Sequence, residues 1–142
     1  MATVAVVDSN VLVYRVDPRN PVKQRIATER LRGGIVDGSL VLAYQSVVEF
    51  HAAVTRPPAL LTWIDAARET EELLVAFPVL YPTDNLVRSA LRAADTYQLS
   101  WYDALIWAYA DTNGIEEILS EDFQPDRLYG SVRVINPFAA NR

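Results

Sequence analysis

The 142-residue sequence contains no cysteine, one histidine (His51), one lysine (Lys23), one methionine and only five glycines. Without cysteine there is no disulfide, no thiol nucleophile, no zinc–thiolate site and no iron–sulfur cluster. A single histidine excludes a multi-histidine metal site within one chain. Long apolar runs are also missing. The run at residues 4–7 is far shorter than the roughly 20 residues that cross a bilayer, and no charged segment precedes it as in a secretion signal. No membrane association and a cytoplasmic location are the resulting expectations. Nor does a glycine-rich turn follow that run, which excludes a dinucleotide-binding Rossmann site. Any chemistry must come from carboxylates, hydroxyls, amides or arginines.

What is present suits one globular domain spanning residues 1–142. The chain is 51% hydrophobic and 22% charged, and at this length it should bury about 70% of the surface its unfolded form exposes. Thirteen basic against eighteen acidic residues leave a net charge of −5. That balance excludes a protein that coats DNA regardless of sequence, which needs a basic face to displace phosphate counterions. It leaves open a nucleic-acid enzyme with a local acidic site.

Short apolar runs at 4–7, 40–43, 79–81, 118–119 and 132–135 alternate with helical patterns at 9–13, 22–31, 46–55, 60–77, 85–97 and 102–112. Ser46, Thr83 and Ser100 read as helix N-caps. Gly33-Gly34, or a position slightly beyond, reads as the end of the second helix, and Pro57-Pro58 as a break. Buried strands alternating with helices predict an α/β fold whose parallel sheet is covered on both faces.

In such a sheet, sites form beyond the carboxyl ends of the strands. Asp8 ends the first strand, Asp122 follows the fourth, and Glu49 and Asp103 lie in the first turns of helices. Each has a structural explanation. Asp8 can cap the next helix, Asp103 with Ser100 resembles a capping box, Glu49 lies off its helix's apolar arc, and Asp122 suits a turn. Four separate segments nevertheless converge on one sheet edge. Clustered carboxylates repel and protonate unless a cation joins them, and an all-oxygen ligand set suits Mg²⁺ or Mn²⁺. Such a site supports phosphoryl transfer to water without any other residue type.

The segments Val6-Val7-Asp8-Ser9-Asn10-Val11-Leu12, Ser46-Val47-Val48-Glu49-Phe50, Trp101-Tyr102-Asp103-Ala104-Leu105-Ile106 and Ser120-Glu121-Asp122-Phe123-Gln124 resemble, in order and spacing, the four motifs of PIN-domain ribonucleases. The closing Val132-Arg133-Val134-Ile135-Asn136-Pro137-Phe138 resembles one bacterial branch, the VapC-type toxins of toxin–antitoxin pairs. The resemblance implies a three-layer α/β/α sandwich with a mainly parallel sheet of four to five strands. It also implies a Mg²⁺- or Mn²⁺-dependent endoribonuclease acting on RNA, with Asp8, Glu49, Asp103 and Asp122 as the metal-binding and catalytic acids. Asn10 and Ser120 match supporting positions, and Glu121 is an adjacent acid that could hold a second metal or a water. A VapB-type antitoxin and a homodimer are further implications.

Other features divide between function and structure. Arg15, Arg19, Lys23, Arg25, Arg30 and Arg32 face only Asp17 and Glu29 between positions 15 and 32. The stretch reads either as a phosphate-tracking surface or as a solvated helix face with ion pairs such as Glu29 with Arg25. His51 lies two residues from Glu49, about 160° around a helix, which makes cooperation between them unexpected. Trp101, Tyr102, Trp107 and Tyr109 suggest a buried helix or dimer interface rather than a base-stacking platform. Leu60, Leu61, Trp63 and Ile64 suit core packing or an exposed patch for an antitoxin helix.

Two competing functions are weaker. A haloacid-dehalogenase-like phosphatase would use Asp8 as nucleophile, but it needs Asp-x-Asp, and position 10 is Asn. A non-enzymatic interaction module would keep the fold without binding metal.

Overall fold

The computed structural model describes residues 3–124 and 127–139. The β-branched run Ala5–Val7 forms β1 and leads into α1 (Ser9–Arg15); α2 (Pro21–Asp37), β2 (Leu40–Ala43), α3 (Tyr44–Thr55), α4 (Trp63–Ala76) and β3 (Val79–Leu80) follow. The second half contains α5 (Asp84–Tyr97), α6 (Trp101–Thr112), β4 (Glu117–Leu119), β5 (Leu128–Tyr129) and β6 (Val132–Ile135). The strands form one sheet in the order β3-β2-β1-β4-β6-β5. Every pairing is parallel except β5 with β6. Among the described residues, no helix is long and apolar enough to cross a membrane.

Alternation along the strands separates two cores. Val6, Ile118 and Val134 pack against Leu86, Ala90 and Ala93 of α5 and the apolar side of α6. Ala5, Val7, Leu40, Leu42 and Leu119 point the other way, onto Val11, Leu12, Leu31, Phe50, Val54 and Leu73 from α1 to α4. The result is the expected α/β/α sandwich. Each valine, leucine, isoleucine or phenylalanine among them contributes about 1.5–3 kcal/mol when fully buried.

Four details depart from the sequence reading. The sheet has six strands because the short hairpin strand β5 precedes β6. Gly130, at φ 63°, turns that hairpin, and the Trp107 indole nitrogen donates to the Tyr129 carbonyl at 2.9 Å. Secondly, α2 runs through Gly33-Gly34 to Asp37, and Gly38, at φ 69°, provides the left-handed cap. Gly34 serves packing instead: a Cβ there would lie 2.3 Å from Leu40 Cδ1. Thirdly, Ser46 does not cap α3. β2 passes directly into that helix at Tyr44, with Ala43 at the cap, and the Ser46 hydroxyl is buried with no partner among the described residues. Finally, α4 starts at Trp63 behind a Thr62 cap, so Leu60 and Leu61 belong to the preceding turn. Thr83 and Ser100 cap α5 and α6 as expected, accepting from Leu86 N and Asp103 N.

Candidate active site at the carboxyl ends of β1 and β4

The chain winds from β1 through β2 to β3 on one side, then returns to place β4 on the other side of β1. This reversal opens a crevice beyond the carboxyl ends of β1 and β4, the position where open α/β sheets bind ligands. Val7 pairs with Leu119, so the next residues, Asp8 and Ser120, emerge side by side.

Asp8 is 5% exposed and Ser120 fully buried. The Ser120 hydroxyl donates to Asp8 Oδ2 at 2.8 Å, and the Ser9 amide donates to Asp8 Oδ1 at 2.8 Å. Asn10 Nδ2 donates to Ser120 Oγ (3.1 Å) and Asp8 Oδ2 (3.4 Å). Asn10 Oδ1 accepts from the Glu121 amide, and Ser120 Oγ accepts from the Asp122 amide. Asp8 thus caps α1 and also sits at the centre of this network. Burial raises the Asp8 carboxyl to about 7, against the lowering effect of the Ser120 and Ser9 bonds, and the negative charges of Asp122 and Glu49 raise it further. Ser120→Ala should raise it by about one more pH unit, because a hydrogen bond to the charged form is lost. An NMR titration of the Asp8 carboxyl carbon reads this directly.

Glu49 on α3 and Asp103 on α6 are half-buried, and burial is the main cause raising both carboxyls. Asp103 and Asp122 raise Glu49 further, and Asp122 raises Asp103. Gln45, one turn before Glu49, donates to Glu49 Oε1 and to the Tyr102 carbonyl, both at 3.2 Å, and so ties α3 to the start of α6. The sequence reading had missed Gln45, although its i, i+4 spacing from Glu49 is a recognisable signal. The Ser100–Asp103 capping contact also exists; capping uses the Asp103 amide, which leaves its carboxylate available.

Asp8 thus feels the charges of Asp122 and Glu49, Glu49 those of Asp103 and Asp122, and Asp103 that of Asp122, which links the four acids at one crevice. As the side chains lie, no three acids among the described residues stand close enough to hold a cation jointly. Their mutual charge still favours a divalent partner, and oxygen-only donors fit Mg²⁺ or Mn²⁺. Glu121 points elsewhere: its carboxylate accepts from the Tyr14 hydroxyl and from Lys23 Nζ.

The remaining sequence features are distributed as follows. Trp107 and Tyr109 are buried, whereas Trp101 and Tyr102 are exposed and line an apolar cleft of about 380 Å³ with Tyr44, Val48 and Glu49. The His51 ring packs edge-on against Trp63 at 4.4 Å. Trp63 and Ile64 are largely exposed, while Leu60 and Leu61 pack on the core. In the arginine-rich stretch, Arg15 pairs with Glu69, Arg19 with Asp17 and Lys23 with Glu121. Those pairs, rather than Glu29 with Arg25, anchor it.

Residues 5–130 match the family model described as PIN domain. Among solved structures, a toxin–antitoxin complex from Klebsiella pneumoniae aligns at TM-score 0.69 and 16% identity, covering 94% of this chain and 98% of that chain. VapBC2 from Rickettsia felis, bound to a promoter DNA fragment, aligns at TM-score 0.71 and 8% identity, covering 93% and 97%. The Mycobacterium tuberculosis toxin VapC20, described as cleaving the Sarcin-Ricin loop, aligns at TM-score 0.60 and 15% identity, covering 83% and 89%. A comparison with curated proteins by sequence found no match.

Proposed function

The chain belongs to the PIN domain family, and from that premise we propose that it is a divalent-metal-dependent endoribonuclease and the toxin of a toxin–antitoxin pair. The observation that carries the reading is the convergence of Asp8, Glu49, Asp103 and Asp122 on one crevice, with Asp8 buried and held near neutrality. Asp8, Asp103 and Asp122 would hold a Mg²⁺ or Mn²⁺ ion, with Glu49 completing the set. The ion, when bound, lowers the pKa of a water and offsets negative charge on the phosphodiester oxygens.

The protein's own groups prepare that chemistry. Ser120 and Asn10 fix the orientation of Asp8 through its Oδ2, and partners of this kind tune affinity as strongly as they orient ligands. Gln45 restrains Glu49 beside the first turn of α6.

Two partners belong to this reading. Solved structures with the same fold are toxin–antitoxin complexes, which supports a VapB-type antitoxin as the inhibitor. The exposed apolar side chains Tyr44, Val48, Trp101 and Tyr102 support a homodimer.

The test is incubation of total RNA with purified protein and Mg²⁺, followed by mapping of the cleaved ends. Attack by water predicts ends without 2′,3′-cyclic phosphate. Cyclic phosphate ends would instead indicate attack by the ribose hydroxyl and refute the water mechanism.

A further inference from the structure

The loop from Ser120 to Asp122 carries one of the four acids, and its middle residue turns away from them. Glu121 Oε1 accepts from the Tyr14 hydroxyl at 2.7 Å, and Oε2 accepts from Lys23 Nζ. The ammonium also lies 4.8 Å from the centre of the Tyr14 ring and 5.6 Å from that of Phe138. These two rings meet edge-on at 4.9 Å. A residue each from α1 and α2 thus converges on the side chain between Ser120 and Asp122, and Phe138, after β6, packs against both of them.

Lys23 is the chain's only lysine; its other twelve basic residues are arginines. The compact Lys23 ammonium, with three rotatable donors, reaches the Glu121 carboxylate, the Tyr14 hydroxyl oxygen at 3.4 Å and two ring faces from one point. The backbone of the same loop is tied to the site: the Glu121 amide donates to Asn10 Oδ1, and the Asp122 amide donates to the buried Ser120 hydroxyl. The loop is therefore held by its backbone on the site side and by the Glu121 side chain on the other.

We propose that Lys23 and Tyr14 are positioning residues that act through Glu121, clamping the loop so that Asp122 stays directed at the acidic crevice. The inference rests on the metal-site reading above and assigns Glu121 to the clamp rather than to an ion. Simple electrostatics predicts the opposite outcome for Lys23. Removing a positive charge beside a cation site should tighten cation binding, whereas removing a clamp should loosen it.

The experiment is calorimetric titration of the full chain with Mn²⁺ alone, in wild type, Lys23→Met, Glu121→Gln and the double variant. Tyr14→Phe, which loses only the hydroxyl, serves as a milder second probe. Circular dichroism with thermal unfolding confirms that each variant is folded at the titration temperature. The clamp predicts about tenfold weaker Mn²⁺ binding in both single variants, the size expected for partners that orient ligands. The double variant should be no weaker than either single one, since both remove the same interaction. Unchanged or tighter binding in Lys23→Met and Tyr14→Phe, with weaker binding in Glu121→Gln alone, would overturn the clamp and make Glu121 a ligand, leaving the metal site intact. Absence of Mn²⁺ binding by the wild type would overturn both the clamp and the reading beneath it.

Discussion

Asp8→Asn should reduce RNA cleavage by about 10³-fold or more and leave a folded protein. Asparagine keeps the shape of the side chain, so it can retain the Ser9 amide contact and cap α1. It cannot supply the negative charge that a divalent ion requires, and loss of a single preorganised electrostatic group commonly lowers a rate by about 10²–10³-fold. Asp103→Asn should behave similarly, because the Ser100 cap holds the Asp103 amide rather than its carboxylate. The check is a cleavage assay on a labelled single-stranded RNA, run beside thermal unfolding of the same samples. Wild-type rates in either folded variant would remove that acid from the mechanism.

The same buried carboxylate makes stability fall as pH rises. Folding raises the Asp8 carboxyl from its ordinary 3.8 to about 7. Between those values the folded chain keeps a proton that the unfolded chain has released, so stability declines with rising pH, by an amount on the order of 4 kcal/mol in total. Burial raises Glu49 and Asp103 too, with the same sign. Asp17 and Asp37 are held below their ordinary values, chiefly by bonds to Arg19 and Ser39, so their stabilising effect is lost only on acidification below about pH 4. Metal-free protein should therefore melt roughly 10 °C lower at pH 8 than at pH 5. Asp8→Asn should flatten that slope and melt above wild type at pH 8. Divalent ion at a hundred times its Kd should restore about 2.7 kcal/mol to the wild type and little to the variant. Calorimetric scans from pH 5 to 8, with and without Mn²⁺, measure all three effects.

Much of this architecture was legible in the sequence because period and punctuation agreed. The β-branched runs of β1 and β6 and the boundaries of β2 needed no tertiary information, and the caps at Thr83 and Ser100 followed from local chemistry. The differences arose where distant packing prevailed over local preference. Gly33 and Gly34 look like a helix end, but Gly34 lies under Leu40 and the helix continues to Asp37. β5 is two residues long and exists through its pairing with β6, so no sequence period marks it. The acids of the candidate site were legible as residues at strand ends and helix starts. Their supports were only partly so: Asn10 and Ser120 lie within the motifs, whereas Lys23 is 98 positions from the carboxylate it holds. Only the fold brings those two together.

The central claim is that one divalent ion site built from Asp8, Glu49, Asp103 and Asp122 carries RNA hydrolysis. The most direct measurement is the cleavage rate of a single-stranded RNA against free Mg²⁺ or Mn²⁺ concentration, ending in excess chelator. The rate should rise with the ion, saturate, and fall to the level of the Asp8→Asn variant once the chelator is added. Cleavage that continues undiminished in excess chelator would contradict the account.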